Sequence, residues 1–229
     1  QILSVNIFDN NERIVAVKQA VLPSGHFITD HFDTTAIPSQ YVISSASTEY
    51  TLTGKVAATV DAFGFRMEHT YDVLDRQIET RSQSQDSNGN LVWLATRFVF
   101  DDAGREIGST NQFQLDSSAP IRGSLASYDP VGRLIGTTVV SGVVIDIVGN
   151  GVSQQAVITS PGTILSTSSS ELDQYGRTLA TVDSSGLRLE MTYNAQSNVV
   201  QSRKEIVNEL GQKVWMVSRT VYNDVGRAL

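Results

Sequence analysis

Nine tetrapeptides that begin with Asp or Asn and end with Gly are distributed along this 229-residue chain, and they constrain its fold more than any other feature. A type I turn favours Asp or Asn first, because the side chain accepts hydrogen bonds from the backbone that follows, and Gly fourth, where φ is positive. The positive φ forms a G1 bulge that returns the chain as an antiparallel hairpin. The tetrapeptides begin at Asp61, Asp86, Asp101, Asp129, Asp146, Asp173, Asp183, Asn208 and Asn223.

The segments between these turns have the length and composition of β-strands. Val, Ile and Thr together number 61, whereas Lys numbers only 4, and this balance favours strands over helices. Residues 65–71 alternate between apolar and charged side chains, as a half-buried antiparallel strand does. The sequence therefore predicts an all-β fold, a tandem antiparallel β-hairpin meander.

A long internal repeat relates the two parts of the chain. Residues 49–107 align without a gap to 171–229, and 20 of the 59 positions are identical at a shift of 122. We therefore divide the chain into a first unit, 1–119, and a second unit, 120–229, that stops inside a motif. Tandem units of this kind stack on their neighbours, and we expect the chain to be an excerpt from a longer protein.

A shorter motif recurs inside each long unit. It reads Tyr/Phe-Asp-x-x-Gly-Arg and occurs at 100–105, 128–133 and, with Asn, at 222–227; degenerate copies occur at 8–13, 50–55, 71–76, 172–177 and 193–198. The motif resembles the YD repeat, or RHS repeat, of bacterial RHS proteins, Tc toxin shell subunits and teneurins. The resemblance covers essentially the whole chain.

The resemblance implies a meander that spirals into a β-shell or extends as a filament, with Tyr in the wall and Asp and Arg beside the turn. The family's shell ends in a self-cleaving aspartyl segment around Asp-Pro-x-Gly; residues 129–132 match those letters, but we predict an ordinary turn there. The predicted turn residues are Asp101, Gly104, Arg105, Asp129, Gly132, Arg133, Asn223, Gly226 and Arg227, and the predicted wall residues are Tyr71, Tyr193, Trp93 and Trp215.

Charge and composition exclude several classes of function. The net charge of -7 argues against a nucleic-acid or anionic-membrane surface, and the absence of Cys excludes disulfides and thiolate sites. The longest apolar stretch, 139–148, is too short to span a membrane. We expect no catalytic residues, no cofactor and no metal, although His26, His31 and Asp33 are metal candidates because two of them share a strand face.

The expected function is structural rather than enzymatic. We expect a segment of a secreted or cell-surface bacterial protein, whose shell wall or filament encloses a cargo such as a toxin or extends from the cell. The expected partners are neighbouring repeats of the same protein, with end-to-end self-association. The alternative is an adhesin module that binds glycan or a partner protein through exposed aromatic residues, and the exposure of Trp93 and Trp215 distinguishes the two.

Overall fold

The computed structural model of the chain describes residues 2–21, 41–150, 153–223 and 225–229. Within them the chain forms eighteen antiparallel strands and no α-helix, which confirms the predicted all-β hairpin meander. No helix long and apolar enough to cross a membrane occurs in this part of the chain. The strands are β1 (Ile2–Phe8), β2 (Ile14–Val21), β3 (Val42–Tyr50), β4 (Val56–Val60), β5 (Arg66–Tyr71), β6 (Gln77–Gln85), β7 (Leu91–Phe100), β8 (Glu106–Thr110), β9 (Phe113–Gln114), β10 (Arg122–Tyr128), β11 (Leu134–Ser141), β12 (Val144–Val148), β13 (Gln155–Ser160), β14 (Thr163–Leu172), β15 (Thr178–Val182), β16 (Arg188–Tyr193), β17 (Val199–Val207) and β18 (Lys213–Arg219).

The chain forms two compact units. In the first, β1 to β7 pair in chain order and β9 pairs with β7. In the second, β8 pairs with β10, β10 with β11, β11 with β14, and β14 to β18 follow in chain order. The sequence division at 119/120 describes the repeat and stays a prediction. The first compact unit contains residues 1–98, 112–119 and 146–157, and the second compact unit contains residues 99–111, 120–145 and 158–229.

Twelve hairpin turns among the described residues share one backbone geometry. In each turn the amide of the first residue donates to the carbonyl of the fifth, and the amide of the fourth donates to the carbonyl of the first. The fourth residue always has a positive φ; it is Gly in nine turns and Glu12, Asp75 or Ser197 in the other three. The turns begin at Asp9, Thr51, Asp61, Asp72, Asp86, Asp101, Asp129, Asp173, Asp183, Asn194, Asn208 and Asn223.

One of the nine predicted turns is wrong. Asp146 lies inside β12, and Gly149 follows the end of that strand instead of closing a turn that starts at Asp146. The residues on both sides of Asp146 are Val and Ile, whose branched side chains favour extended backbone. Strand propensity therefore outweighs the local turn signal at this position.

Strands β3 to β7 and β14 to β18 pair in one register when positions 122 apart are compared. The bulges fall at matching positions too, because the register shifts before Tyr50 and Tyr71 in the first copy and before Leu172 and Tyr193 in the second. Positions 122 apart therefore hold the same places in the strand pairing. The matched cross-strand pairs include Glu49–Ala58 with Glu171–Ala180, Glu68–Arg81 with Glu190–Arg203, Tyr71–Gln77 with Tyr193–Val199, and Glu79–Arg97 with Gln201–Arg219.

The apolar core of the described residues is small and consists of Ala, Val and Ile side chains. Ala58 and its repeat equivalent Ala180 are both buried. Many larger apolar residues stay exposed, as expected for sheet faces that are covered only in part. Hydrogen bonds and ion pairs beside the turns and across the strands add to this small core.

Candidate functional site

The predicted turn residues form a repeated hydrogen-bonded unit. One carboxylate oxygen of Asp101 accepts from the backbone amide of Arg105 at 2.9 Å, and the other accepts from the Arg105 Nε at 2.7 Å. Asp129 and Arg133 repeat both contacts at 2.8 and 2.6 Å. We call turns with Asp first and Arg fifth the Asp–Arg turns. They begin at Asp9, Asp72, Asp101, Asp129 and Asp173, and all five have the bond from Nε to the carboxylate.

The turn at Asn223 keeps the backbone contacts with a neutral side chain. The amide oxygen of Asn223 accepts from the backbone N–H groups of Val225 at 3.2 Å and Arg227 at 2.8 Å. The predicted positive φ is confirmed at all three glycines, with values of 81° at Gly104, 89° at Gly132 and 78° at Gly226. The turn therefore needs an acceptor first and a left-handed residue fourth, and in the Asp–Arg turns the second carboxylate oxygen accepts the bond from the arginine Nε.

The tyrosines of the motif tie neighbouring turns together. The hydroxyl of Tyr71 donates to the carbonyl of Val56 at 2.9 Å, and that of Tyr193 donates to Thr178 at 2.8 Å. In each case the acceptor directly follows the fifth residue of an earlier turn, which begins at Thr51 or Asp173, and one further hairpin turn lies between that turn and the tyrosine. The same bond joins Tyr50 to Ile14, Tyr128 to Glu106 and Tyr222 to Val199.

Arginines of the turns lie over the tyrosine rings. The guanidinium carbon of Arg105 lies 4.7 Å from the centroid of the Tyr128 ring, and that of Arg177 lies 4.8 Å from Tyr193. This distance is typical of a cation–π contact. One arginine thus bonds its own turn through Nε and covers the next tyrosine, which gives the motif letters Tyr, Asp and Arg a joint packing role.

Hydrogen bonds within the turn lower the pKa of the first residue in the turns at Asp101 and Asp129. The hydrogen bonds from the Arg105 side chain and backbone lower the pKa of Asp101. At Asp129, desolvation by burial raises the pKa, but the hydrogen bonds from the backbone and side chain of Arg133 outweigh it and the net shift is downward. Both Asp129 oxygens are bonded to Arg133 or to the turn backbone, so the Asp-Pro-x-Gly segment is an ordinary hairpin turn.

A set of paired charges crosses the strands in each copy. Arg66 donates through both terminal nitrogens to the carboxylate of Glu49, at 2.7 and 2.8 Å, and through Nε to Glu68 at 2.7 Å. Arg188 makes the same contacts with Glu171 and Glu190. We call each set a Glu–Arg cluster.

The Glu–Arg clusters shift the ionisation of their members. The side-chain hydrogen bond from Arg66 lowers the pKa of Glu49, and the bonds to Glu49 and Glu68 raise the pKa of Arg66. The sequence analysis missed these clusters, although Glu49, Arg66 and Glu68 are identical to their repeat equivalents. Identity at positions 122 apart was the available signal, because a cross-strand partner can be assigned only when the register is known.

A buried carboxylate distinguishes the first copy from the second. Glu79 is 1% exposed and accepts from the Nε atoms of Arg81 at 2.5 Å and Arg97 at 2.7 Å. The equivalent residue in the second copy is Gln201, whose side-chain oxygen accepts from Arg219 at 2.8 Å. The second copy therefore keeps the bond from the arginine, although the acceptor there is a neutral glutamine instead of a glutamate.

The two tryptophans occupy equivalent positions with different surroundings. Trp93 is half-buried on β7, whereas Trp215 is 41% exposed on β18. The guanidinium carbon of Arg203 lies 4.9 Å from the centroid of the Trp215 ring. One face of that ring is thus covered by a charged side chain.

The histidines and the metal candidates of the sequence do not form a site among the described residues. His26, His31 and Asp33 lie outside the described residues, and within the described ones no group of three His, Asp or Glu side chains could hold a metal ion. His69 lies beside a depression of about 270 Å³ that Tyr71 and Asp75 also line. Its Nδ1 is 3.5 Å from the hydroxyl of Thr80, and its ring centroid is 6.5 Å from that of Tyr71. These contacts place His69 among packing neighbours.

Comparison with known proteins gives limited similarity. No protein-family model and no curated protein matches the sequence. A crystal structure of TcdB2-TccC3-TEV matches 99% of this chain and 13% of its own, at 12% identity and a TM-score of 0.48. A mutant Tc holotoxin pore of Photorhabdus luminescens matches 95% of this chain and 12% of its own, at 13% identity and a TM-score of 0.39. The chain therefore spans only about an eighth of each of these chains.

Proposed function

We propose that the chain is a non-enzymatic structural segment of a secreted or cell-surface bacterial protein of the YD-repeat family. It forms part of a β-sheet wall or filament that encloses a cargo such as a toxin or extends from the cell. The observation that carries the proposal is the repeat of one strand register at positions 122 apart. A register kept over five strands means that the same architectural element is built twice.

The repeated polar contacts support a structural role. The carboxylates of the Asp–Arg turns and of the Glu–Arg clusters are bonded to arginine. A general acid or base needs a pKa near the working pH. Hydrogen bonds from arginine instead lower the pKa of Glu49, Asp101 and Glu171. The residues that the copies share therefore serve to fix hairpins and join strands.

The structural and adhesin hypotheses differ in what Trp215 does. A sugar-stacking platform needs a free aromatic face, and Arg203 covers one face of Trp215. No observation favours glycan binding over packing at this residue. Glycan-array screening of the chain and of Trp215→Ala distinguishes the two, since binding that disappears in the variant would support the adhesin function.

Electron cryo-microscopy of the longest protein that contains this chain tests the proposal. We expect a wall or rod built from further units of about 122 residues, with residues 49–107 and 171–229 in the same sheet pairing as described. A hollow particle with an enclosed C-terminal domain indicates encapsulation, and a rod indicates extension. A protein in which the hairpins form a small appendage to a globular enzyme would contradict the proposal.

A further inference from the structure

The depression of about 270 Å³ in the first copy is lined by positions that surround a guanidinium group in the second copy. Thr53, Tyr71 and Asp75 lie among its lining residues. All three belong to the first compact unit. Because the strand pairing repeats at a shift of 122, each of them has a counterpart with which it can be compared.

In the second copy an arginine side chain occupies the corresponding place. The guanidinium carbon of Arg177 lies 4.8 Å from the ring centroid of Tyr193 and 5.2 Å from that of Tyr175. Its Nη1 also donates to the hydroxyl of Ser197 at 3.1 Å. The counterparts of Tyr193, Tyr175 and Ser197 in the first copy are Tyr71, Thr53 and Asp75.

The first copy does not supply this arginine. Lys55 stands at the position of Arg177, and it is exposed. Thr53 stands at the position of Tyr175 and has no ring to fill the space. The depression therefore corresponds to the place that the Arg177 guanidinium and the Tyr175 ring take in the second copy.

The tyrosine of the motif lies beneath a guanidinium in other turns too. The guanidinium carbon of Arg13 lies 4.4 Å from the ring centroid of Tyr50, and that of Arg105 lies 4.7 Å from Tyr128. In both pairs the arginine is the fifth residue of an earlier turn, as Arg177 is for Tyr193. The local geometry of the fold thus favours a guanidinium on this face of the ring.

A carboxylate replaces the neutral acceptor in the first copy. One oxygen of Asp75 accepts from the hydroxyl of Thr53 at 2.9 Å. Desolvation by burial and, second, the charge of Asp75 raise the pKa of Tyr71, so this carboxylate lies close to the ring. Asp72 also lines the depression but accepts from the Nε of its own turn's Arg76 at 2.6 Å. A bond from a guanidinium to a carboxylate is stronger than one to a hydroxyl.

We propose that this depression binds a guanidinium group, such as an arginine side chain, which stacks on the Tyr71 ring and donates to the Asp75 carboxylate. The bound group would reproduce from outside the contacts that Arg177 makes within the second copy. This inference rests on the shared strand pairing of the two copies and not on the proposed function.

The experiment uses the full chain and acetyl-arginine amide, with binding followed by NMR chemical shifts. We expect saturable shifts at the backbone amides of Tyr71 and Asp75 and none at Tyr193, which Arg177 already covers. Acetyl-citrulline amide, in which a neutral urea replaces the guanidinium, is the matched control and should not bind. Methylguanidine distinguishes the sources: binding as tight as that of acetyl-arginine amide indicates a small free guanidinium compound, and weaker binding indicates an arginine within a polypeptide.

Two variants of the chain test the named contacts. Asp75→Asn removes the charge and keeps the size, and asparagine tolerates the φ of 58° at this position. It should weaken binding about fivefold or more. The double variant Thr51→Asp/Lys55→Arg rebuilds the Asp–Arg turn of the second copy, so its own guanidinium should cover Tyr71 and abolish binding.

Four results would overturn the proposal. The first is the absence of saturable shifts at Tyr71 and Asp75. The second is equal binding of the citrulline compound, and the third is unchanged binding by Asp75→Asn. The fourth is undiminished binding by a folded double variant. If the double variant fails to fold, the citrulline control and Asp75→Asn still decide the matter.

Discussion

Single side chains set the geometry of each hairpin through two separable contacts. The first residue of the turn supplies an acceptor for the backbone, which Asn223 provides as well as Asp101. The fourth residue supplies the left-handed conformation, which nine glycines adopt without a Cβ penalty. The sequence pattern marks both requirements, and either can be tested by substitution.

Gly132 tests the backbone requirement. Its φ is 89°, and an added Cβ would lie 3.3 Å from the Arg105 side chain. Because β-branched residues avoid this region, Gly132→Val should lower the free energy of unfolding by about 1–3 kcal/mol, measured by urea titration.

Asp75→Gly provides the matched control at the same turn position, where φ is 58°. The substitution removes the backbone strain of an aspartate in the left-handed conformation, but it also removes the hydrogen bond that Asp75 accepts from Thr53 at 2.9 Å. We expect the net change to be within about 1 kcal/mol of zero. An unchanged melting temperature for Gly132→Val would contradict the turn assignment.

Asp101 tests the charge requirement. Since its folded pKa is lowered by Arg105, its stabilisation is present above the unfolded pKa of about 3.9 and disappears as pH falls through the folded pKa. Asp101→Asn should therefore destabilise the chain at pH 7, and the difference from the parent should shrink as the pH falls below 4 or so. Urea unfolding across this range measures it.

Asn223→Asp is the reverse substitution and should add stability that is lost in acid. The Asn223 turn already has the backbone contacts, so the added charge is the main change. A stability difference for Asp101→Asn that stays constant from neutral to acidic pH would show that charge does not contribute.

At the scale of strands, equivalent positions differ where their burial differs. Glu79 lies on β6 between Arg81 and Arg97 and is almost fully buried. Gln201 takes its place on β17, which pairs with β18, and Gln201 is only half-buried. A buried charge is retained only with full pairing, and Glu79 has two arginine partners.

Glu79→Gln therefore should lower the free energy of unfolding by about 1–3 kcal/mol, because it leaves two arginines with one neutral acceptor. Gln201→Glu, the matched change at the half-buried equivalent, should alter stability by less than about 1 kcal/mol. Urea titration of both variants checks the ratio. Equal effects at the two positions would mean that burial does not set the cost.

The elements themselves were largely predictable from the sequence, but their contacts were not. Turn residues such as Asp101 and Gly104 favour one local backbone conformation, so the hairpins can be predicted directly from them. The Glu–Arg clusters join residues 17 positions apart, and their partners can be named only once the strand register is known. Asp146 shows the converse, since a turn signal inside a run of Val and Ile yields to strand pairing.

At the scale of the whole chain, the gapless repeat implies that units can be added without altering the sheet. Glu49 and Glu171 hold equivalent positions in the strand pairing, and so do the residues that follow them. A chain with a second copy of residues 50–171 inserted after Glu171 therefore joins equivalent positions at both ends. Each hairpin should retain its partners, because no strand gains or loses a residue.

The extended chain should have the same circular dichroism per residue as the parent. Because the denaturant m-value scales with the surface exposed on unfolding, it should rise by about half if the added unit unfolds with the rest. If the units unfold separately, a further transition should appear, as in other repeat arrays.

An insertion of residues 50–170 at the same place is the matched control. It shortens the new copy of β14 by one residue, which turns the following side chains to the opposite face of the sheet. This control should be less stable and less soluble than the 122-residue insertion, because buried residues such as Ala180 would lose their positions. Equal stability of the two extended chains would show that the 122-residue period of the sequence does not fix the strand register.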